Sequence, residues 1–446
     1  SFNEYLWFGN SYEDRSIYAD IKQLLPGHCL IIQDGELSIY PWWKPEDWYP
    51  SSPRSISFQE SVTSVRDSLD QAVARQLVAD VPVSLFLSGG IDSTAIAASA
   101  TRVSKKPLVA YTACFDGNMN SDDIINAAQI TKALGLQHSI LDINQTNIHD
   151  AVYKMAISHD EPFSDAANIP LYLMSDSYSS VGKVVLQGDG GDEMFAGYRQ
   201  YTFLTFRRIL HFLRFLPSFY TKPGSLISRF SRILDAFRSK NSATRMSLLL
   251  TMETLHQPPE SLLTCERRFQ LSKSCDPFLA YRNAATRFSS YTEIDKMLLT
   301  DVILQLASQF LPKVDRASMS AGVEARVPFL DENVIKTAFS IPVNQKTKAF
   351  TRKLILRKTL EGVIPKETIY QPKSGFGVPY GRWLRTSLFD MAYSFSLDSH
   401  FIDTFGFSRN KIQKAFIELK KGEGQYSSFT LWKIFQLALW SSIYRE

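Results

Sequence analysis

The stretch that decides the fold is Val83-Ser84-Leu85-Phe86-Leu87-Ser88-Gly89-Gly90-Ile91-Asp92-Ser93. Its first five residues are a buried type of strand, and residues 91–103 then read as helix. In an open α/β sheet, ligands bind just beyond the carboxyl ends of the strands. Gly89 and Gly90 let the backbone turn tightly and present its N–H groups. Ser88 and Ser93 add hydroxyls, and the helix N-terminus adds a field that favours an anion. The result is a cradle for a diphosphate, although not the GxxxxGK[ST] loop. Asp92 repels phosphate unless a cation stands between them, and Mg²⁺ is the natural one. The competing reading is a plain glycine turn in which Asp92 or Ser93 caps the helix.

Outward from this loop, residues 58–78 place Val62, Val65, Leu69, Val73 and Leu77 at helical spacing. Residues 81–87, 108–115, 139–143 and 181–187 have strand composition, and 122–134 is helical. Strands alternating with helices predict a parallel sheet covered on both faces. Most of the chain beyond about residue 200 reads as helix, as does the apolar stretch 426–446, whose stripe is core packing. Residues 1–50 read as a few strands and turns, with a hairpin at Asp34-Gly35, and residues 41–56 read as a linker. The expected fold class is α/β, a parallel-sheet nucleotide-binding core with a large helical C-terminal part.

A second strand runs into Gln187-Gly188-Asp189-Gly190-Gly191-Asp192-Glu193. Three carboxylates this close repel one another unless a cation is present. One of them completes a Mg²⁺ shell begun by Asp92, or the segment is a calcium loop or a solvated turn. The EF-hand spacing is not met. Further on, Lys313-Val314-Asp315-Arg316 and Val323-Glu324-Ala325-Arg326-Val327-Pro328 alternate charges with apolar residues. They read mostly as a structural network of ion pairs, with Pro328 ending a helix. Lys373 heads the loop Lys373-Ser374-Gly375-Phe376-Gly377-Val378-Pro379. It is either a surface lysine or a cation that reaches phosphate or developing charge.

Composition narrows the class. The 446 residues are 44% apolar and 21% charged, enough for two to three domains or one large domain with a companion. A net charge of +4 suits a phosphate-bearing ligand but is too small for a nucleic-acid binder. Cys29, Cys114, Cys265 and Cys275 are scattered, which fits a reducing, cytoplasmic setting rather than a disulfide or zinc framework. No apolar run reaches the ~18 residues of a membrane span, and no signal peptide is present. Residues 201–240 hold eight basic residues against Asp235. This stretch is an amphipathic helix with snorkelling arginines, a membrane-surface helix or a dock for an acidic peptide. Residue 1 is Ser and the chain opens as if in mid-domain, the mark of a processed, trimmed or partial chain.

Taken in order, SGGIDS, GDGGDEMFAGY, DRASM with VEARVPFLD, and KSGFGVP resemble the synthetase domain of glutamine-hydrolysing asparagine synthetase, over residues 57–446. Residues 1–50 look like the tail of that family's N-terminal glutaminase domain, without its nucleophilic cysteine. The resemblance implies a PP-loop ATPase core, similar to the adenine nucleotide alpha hydrolases. It also implies a carbon–nitrogen ligase using ATP and Mg²⁺. A carboxylate, aspartate in the family, is adenylated with release of pyrophosphate, then amidated by ammonia derived from glutamine. By family position, Asp92 and Asp192 hold the metal and Lys373 stabilises the transition states. Ser88, Gly89, Gly90 and Ser93 grip pyrophosphate. Phe86, Leu87, Ala113, Gln187 and Gly188 contact the nucleotide, and Asp189 handles the incoming amine's proton. A glutaminase domain or subunit is the implied partner, and a homodimer stays open. Two departures stand out: Gln187 replaces a usual Ser, and Asp189 a common Glu, which moves the carboxylate by about 1.5 Å. Both lie at the acceptor end. Lactam- and macrolactam-forming relatives, of the β-lactam synthetase and lasso-peptide cyclase kinds, are therefore the alternative, followed by an inactive scaffold.

Overall fold

The computed structural model describes residues 1–50, 55–115, 117–143, 148–212, 215, 226–274, 276–371 and 378–444. Residues 373–377 of the Lys373 loop, Cys275, and Arg214 and Lys222 of the basic stretch lie outside these residues.

The chain begins with helix α1 (Phe2–Phe8), followed by the antiparallel hairpin β1 (His28–Gln33) and β2 (Glu36–Pro41). Residues 2–8 were expected among strands and turns. The helix forms because it has a tertiary partner: Tyr5, Leu6, Trp7 and Phe8 are all buried. The stretch 41–56, expected as a linker, contains a short helix at Pro45–Trp48.

Helix α2 (Phe58–Gln76) opens with a capping box, in which Ser57 accepts from Glu60 N–H and the Glu60 carboxylate accepts from Ser57 N–H. The core then alternates β3 (Val83–Phe86), α3 (Ile91–Val103), β4 (Val109–Phe115), α4 (Asp122–Leu134) and β5 (Gln137–Ile143). Helices α5 (Ile148–Ser158) and α6 (Asn168–Tyr178) lead to β6 (Val184–Leu186). The basic stretch contributes α7 (Leu226–Arg238). A π-helix (Asp301–Phe310) continues into α8 (Leu311–Met319), ahead of β7 (Glu324–Arg326). Helix α9 (Leu354–Leu360) and the long α10 (Ser428–Ile443) complete the elements that matter here.

Strands β3 to β7 form one sheet in the order β5-β4-β3-β6-β7, every neighbouring pair parallel. Alternation sends successive residues to opposite faces. Leu85, Ala110 and Leu186 join the cluster that includes α2, α3 and α4, while Phe86, Tyr111 and Val185 pack around Tyr178 of α6. The α/β expectation therefore holds, with the central strands β3 and β6 largely buried. The fifth strand was not anticipated. Residues 324–326, expected within a helix ended by Pro328, form β7 because Lys183 C=O and the backbone of β6 supply its ladder. Pro328 instead opens a short 3₁₀ turn, Pro328–Leu330.

Candidate nucleotide site

From β3 the chain winds outward to β4 and β5, then crosses back to β6 on the other side of β3. Between β3 and β6 the direction of winding reverses, and the crevice past their ends is where such sheets bind ligands. The loop after β3 and the loop after β6 are therefore neighbours. They meet without intervening side chains: a Cβ on Gly191 would sit 2.6 Å from Asp92 Oδ1.

Both loops open into a cavity of about 470 Å³. Phe86, Leu87, Ser88, Gly89, Gly90, Asp92, Ser93, Ala113, Gln187, Gly188, Asp189 and Asp192 all line it. Of the candidate site residues, Lys373 lies outside the described part. Within the first loop, Ser93 Oγ donates to Gly90 O at 3.1 Å and accepts from Ser88 N–H at 3.3 Å. Thr112 Oγ1 donates to Leu87 O at 2.7 Å, tying the loop's root to β4. Gln187 N–H donates to Arg326 O of β7 at 2.8 Å, so the unanticipated strand fixes the start of the second loop.

Facing these loops is a group of cations that the sequence did not single out. Lys353 Nζ is 2.7 Å from Asp192 Oδ1 and also donates to Asp92 Oδ2. Burial disfavours its charge, but Asp192 and Asp92 outweigh that and hold the ammonium above the usual lysine range. Lys353 precedes α9 in the left-handed region, with φ +52°. A non-glycine residue there is strained by about 1 kcal/mol or more, and such strain concentrates at functional sites. Arg352 donates to Gly197 O at 3.0 Å, and Arg357 donates to Arg352 O at 3.0 Å. Burial lowers the pKa of both guanidiniums. The signal in the sequence was the spacing of Arg352, Lys353 and Arg357 at the head of an apolar helix, a pattern that exposed helices share.

Lys313, read as part of a structural network, also lines the cavity, 3.3 Å from Asp165. The network reading holds for its neighbours: Arg316 pairs with Asp160 at 2.9 Å, Arg326 with Glu324 at 2.6 Å and Asp331 with Arg75 at 2.5 Å. Two acids at the back of the cavity are pushed up. Burial, then Asp192, raises Glu193 to about 7, although Tyr198 donates to it at 2.5 Å. Burial raises Asp189, with Asp92 and Asp192 adding to it and Lys313 opposing. Among the described residues, Lys313, Arg352, Lys353 and Arg357 line the cavity opposite two aspartates that already share one of them. That arrangement is complementary to a polyphosphate.

Comparison with known proteins follows the same lines. The asparagine synthase family model matches residues 64–442. Asparagine synthetase [glutamine-hydrolyzing] 1 of Bacillus subtilis is 27% identical over 452 residues, covering 99% of this chain and 68% of that protein. Asparagine synthetase [glutamine-hydrolyzing] 3 of the same organism is 28% identical over 373 residues, covering 81% of this chain and 55% of that protein. The chain therefore spans between about half and two thirds of the curated relatives it matches. Among solved structures, NMN synthetase from Francisella tularensis is matched at 16% identity with a TM-score of 0.24, over 52% of this chain and 96% of that one. The fold assignment rests on the observed sheet and not on that weak superposition. With the family model matching residues 64–442 and the two acidic glycine loops opening into one cavity, the chain belongs to the asparagine synthase family of carbon–nitrogen ligases.

Proposed function

We propose that the chain activates a carboxylate with MgATP and passes the acyl group to nitrogen. Aspartate is the proposed acid and ammonia derived from glutamine the proposed nucleophile. The observation that carries this reading is the convergence of the loops after β3 and β6 on one ammonium, Lys353. In the first step a carboxylate oxygen attacks the α-phosphorus. The bond from that phosphorus to the bridging oxygen breaks, and pyrophosphate leaves with the electron pair. In the second, nitrogen attacks the acyl carbon and loses a proton as AMP departs.

Ser88, Gly89, Gly90 and Ser93 are assigned to the pyrophosphate end. Phe86, Leu87, Ala113, Gln187 and Gly188 are assigned to the rest of the nucleotide. Asp92 and Asp192 fit Mg²⁺: two oxygens that share one ammonium lie within roughly 5 Å of each other. This ion commonly takes one or two carboxylates and completes its shell with substrate phosphate. Among the described residues no group of three His, Cys, Asp or Glu forms an all-protein metal cage. When bound, the ion neutralises charge on the phosphates. Lys313, Arg352, Lys353 and Arg357 supply fixed positive charge, and Lys373 is assigned to the same task. Asp189 is the acceptor of the amine's proton, and its raised pKa makes it the stronger base.

Residues 1–50 are proposed as the remnant of a glutaminase-type domain and residues 57–446 as the synthetase domain. In the hairpin, Ile32 is 68% and Leu37 61% exposed, which supports a covering glutaminase unit, in the same polypeptide or as a subunit. A cytoplasmic location is proposed with it. Cys29, Cys114 and Cys265 are free, and no helix among the described residues is long and apolar enough to cross a membrane.

The test is product analysis with ATP, Mg²⁺, aspartate and ammonium. Equal amounts of asparagine, AMP and pyrophosphate are expected. Adenylation confined to another acid would transfer the reading to a lactam- or macrolactam-forming ligase, in keeping with Gln187 and Asp189. ATP binding without pyrophosphate release from any acid would leave a scaffold.

A further inference from the structure

Three cavities stand in series. The second, of about 270 Å³, shares Tyr198 and Phe310 with the nucleotide cavity. The third, of about 290 Å³, shares Met252 and Phe429 with the second. This third cavity takes in two arginines of the basic stretch of residues 201–240. Arg229 and Arg232 of α7 line it, together with Arg385 from a distant part of the chain.

Among the described residues, the two acids on its wall, Asp235 and Glu253, do not cancel these charges, because cations that do not line the cavity already engage both. Arg238 holds Asp235 at 2.6 Å. Lys433 holds Glu253 at 2.8 Å, and Thr430 donates to both Glu253 oxygens. His256 stands 3.8 Å from Asp235. What the cavity presents inward is therefore net positive. Burial pushes the Arg232 guanidinium below the usual arginine range, Glu253 opposing and Arg229 adding to it, so a bound anion would relieve it. Hydroxyls of Thr254, Tyr426 and Ser427 complete a polar lining.

Guanidinium forks recognise carboxylate and phosphate oxygens two at a time. A cavity of about 290 Å³ is larger than one such group, and its arginines come from separate segments. We infer that this basin binds a small polyanion, a molecule with two or more carboxylate or phosphate groups.

Calorimetry on the full chain at constant ionic strength tests this, with citrate as the carboxylate probe and 3-phosphoglycerate as the phosphate probe. At least one should bind with a Kd below about 1 mM, and the tighter probe identifies the preferred anion. The double variant Arg229→Gln/Arg385→Gln changes only exposed side chains at the mouth, so it should fold normally. It should weaken that binding at least tenfold and leave ATP binding unchanged. Arg232→Gln should do the same from inside the cavity. Absence of binding by both probes at 10 mM, or equal binding by wild type and the double variant, would overturn the assignment.

Discussion

Lys353 Nζ sits 2.7 Å from Asp192 Oδ1 and also donates to Asp92 Oδ2, so one buried ammonium ties together two loops that are 100 residues apart in sequence. The contact makes the cavity floor a three-charge unit, which dictates what its loss does.

Lys353→Met removes the buried ammonium that two half-buried carboxylates share. Removing one partner of a fully buried group costs about 3–5 kcal/mol, and the partial exposure of the two aspartates lowers that figure. Pyrophosphate release is expected to fall about 10²–10³-fold. In thermal unfolding, added Mg²⁺ should raise the Tm of the variant more than that of wild type, because the ion takes over a role the ammonium held. Equal Mg²⁺ responses would count against Asp92 and Asp192 as its ligands.

Gly197→Ala tests the closeness of the packing. An added Cβ would lie 1.8 Å from Asp192 Oδ1 and 2.1 Å from Lys353 Cε. The pair must separate, so ATP affinity should fall at least tenfold while circular dichroism stays native. Unchanged affinity would mean the pair is dispensable for binding.

Asp189→Asn separates the two half-reactions. Adenylation, read as ATP–pyrophosphate exchange, should survive within a few-fold, and amide formation should fall by about 10²-fold or more. Normal amide formation would remove Asp189 from proton transfer.

Asp301 supplies a pH signature. It is fully buried, with Tyr201 donating to it and Gln200 at hand, and burial, with Glu193 adding to it, raises its pKa from 3.8 to about 8. The folded state therefore holds a proton that the unfolded chain releases near pH 4. Its stabilising effect is complete below pH 3.8 and is lost as pH rises to about 8, at up to about 1.4 kcal/mol per pH unit. Asp301→Asn should flatten this part of the stability profile between pH 5 and 8, as measured by urea unfolding. An unaltered slope would place the titration elsewhere.

The strand–loop–helix units at residues 83–103 and 184–194 were legible because each is local. Apolar runs, glycines and serines at fixed offsets announce a turn over a strand end, and α3 and α4 have the expected bounds. Helix α1 and strand β7 were not legible. Residues 2–8 form their helix in a shared core, where Lys433 of α10 donates to the Leu6 and Trp7 carbonyls. Residues 324–326 become strand only because β6 offers an open edge.

The sequence by itself determined that there are two acidic glycine loops at strand ends, the pattern on which the proposal of phosphate and a cation there rests. Only the tertiary structure decided that the loops adjoin, that Lys353 closes the gap between Asp92 and Asp192, and that Lys313 belongs to the cavity instead of serving only a structural network. The reason is physical. A turn is governed by the conformational preferences of a few consecutive residues, whereas the charge facing it arrives from wherever packing brings the chain back. A lysine at the head of an apolar helix carries no mark of its partner until burial removes water and leaves only the carboxylates to receive it.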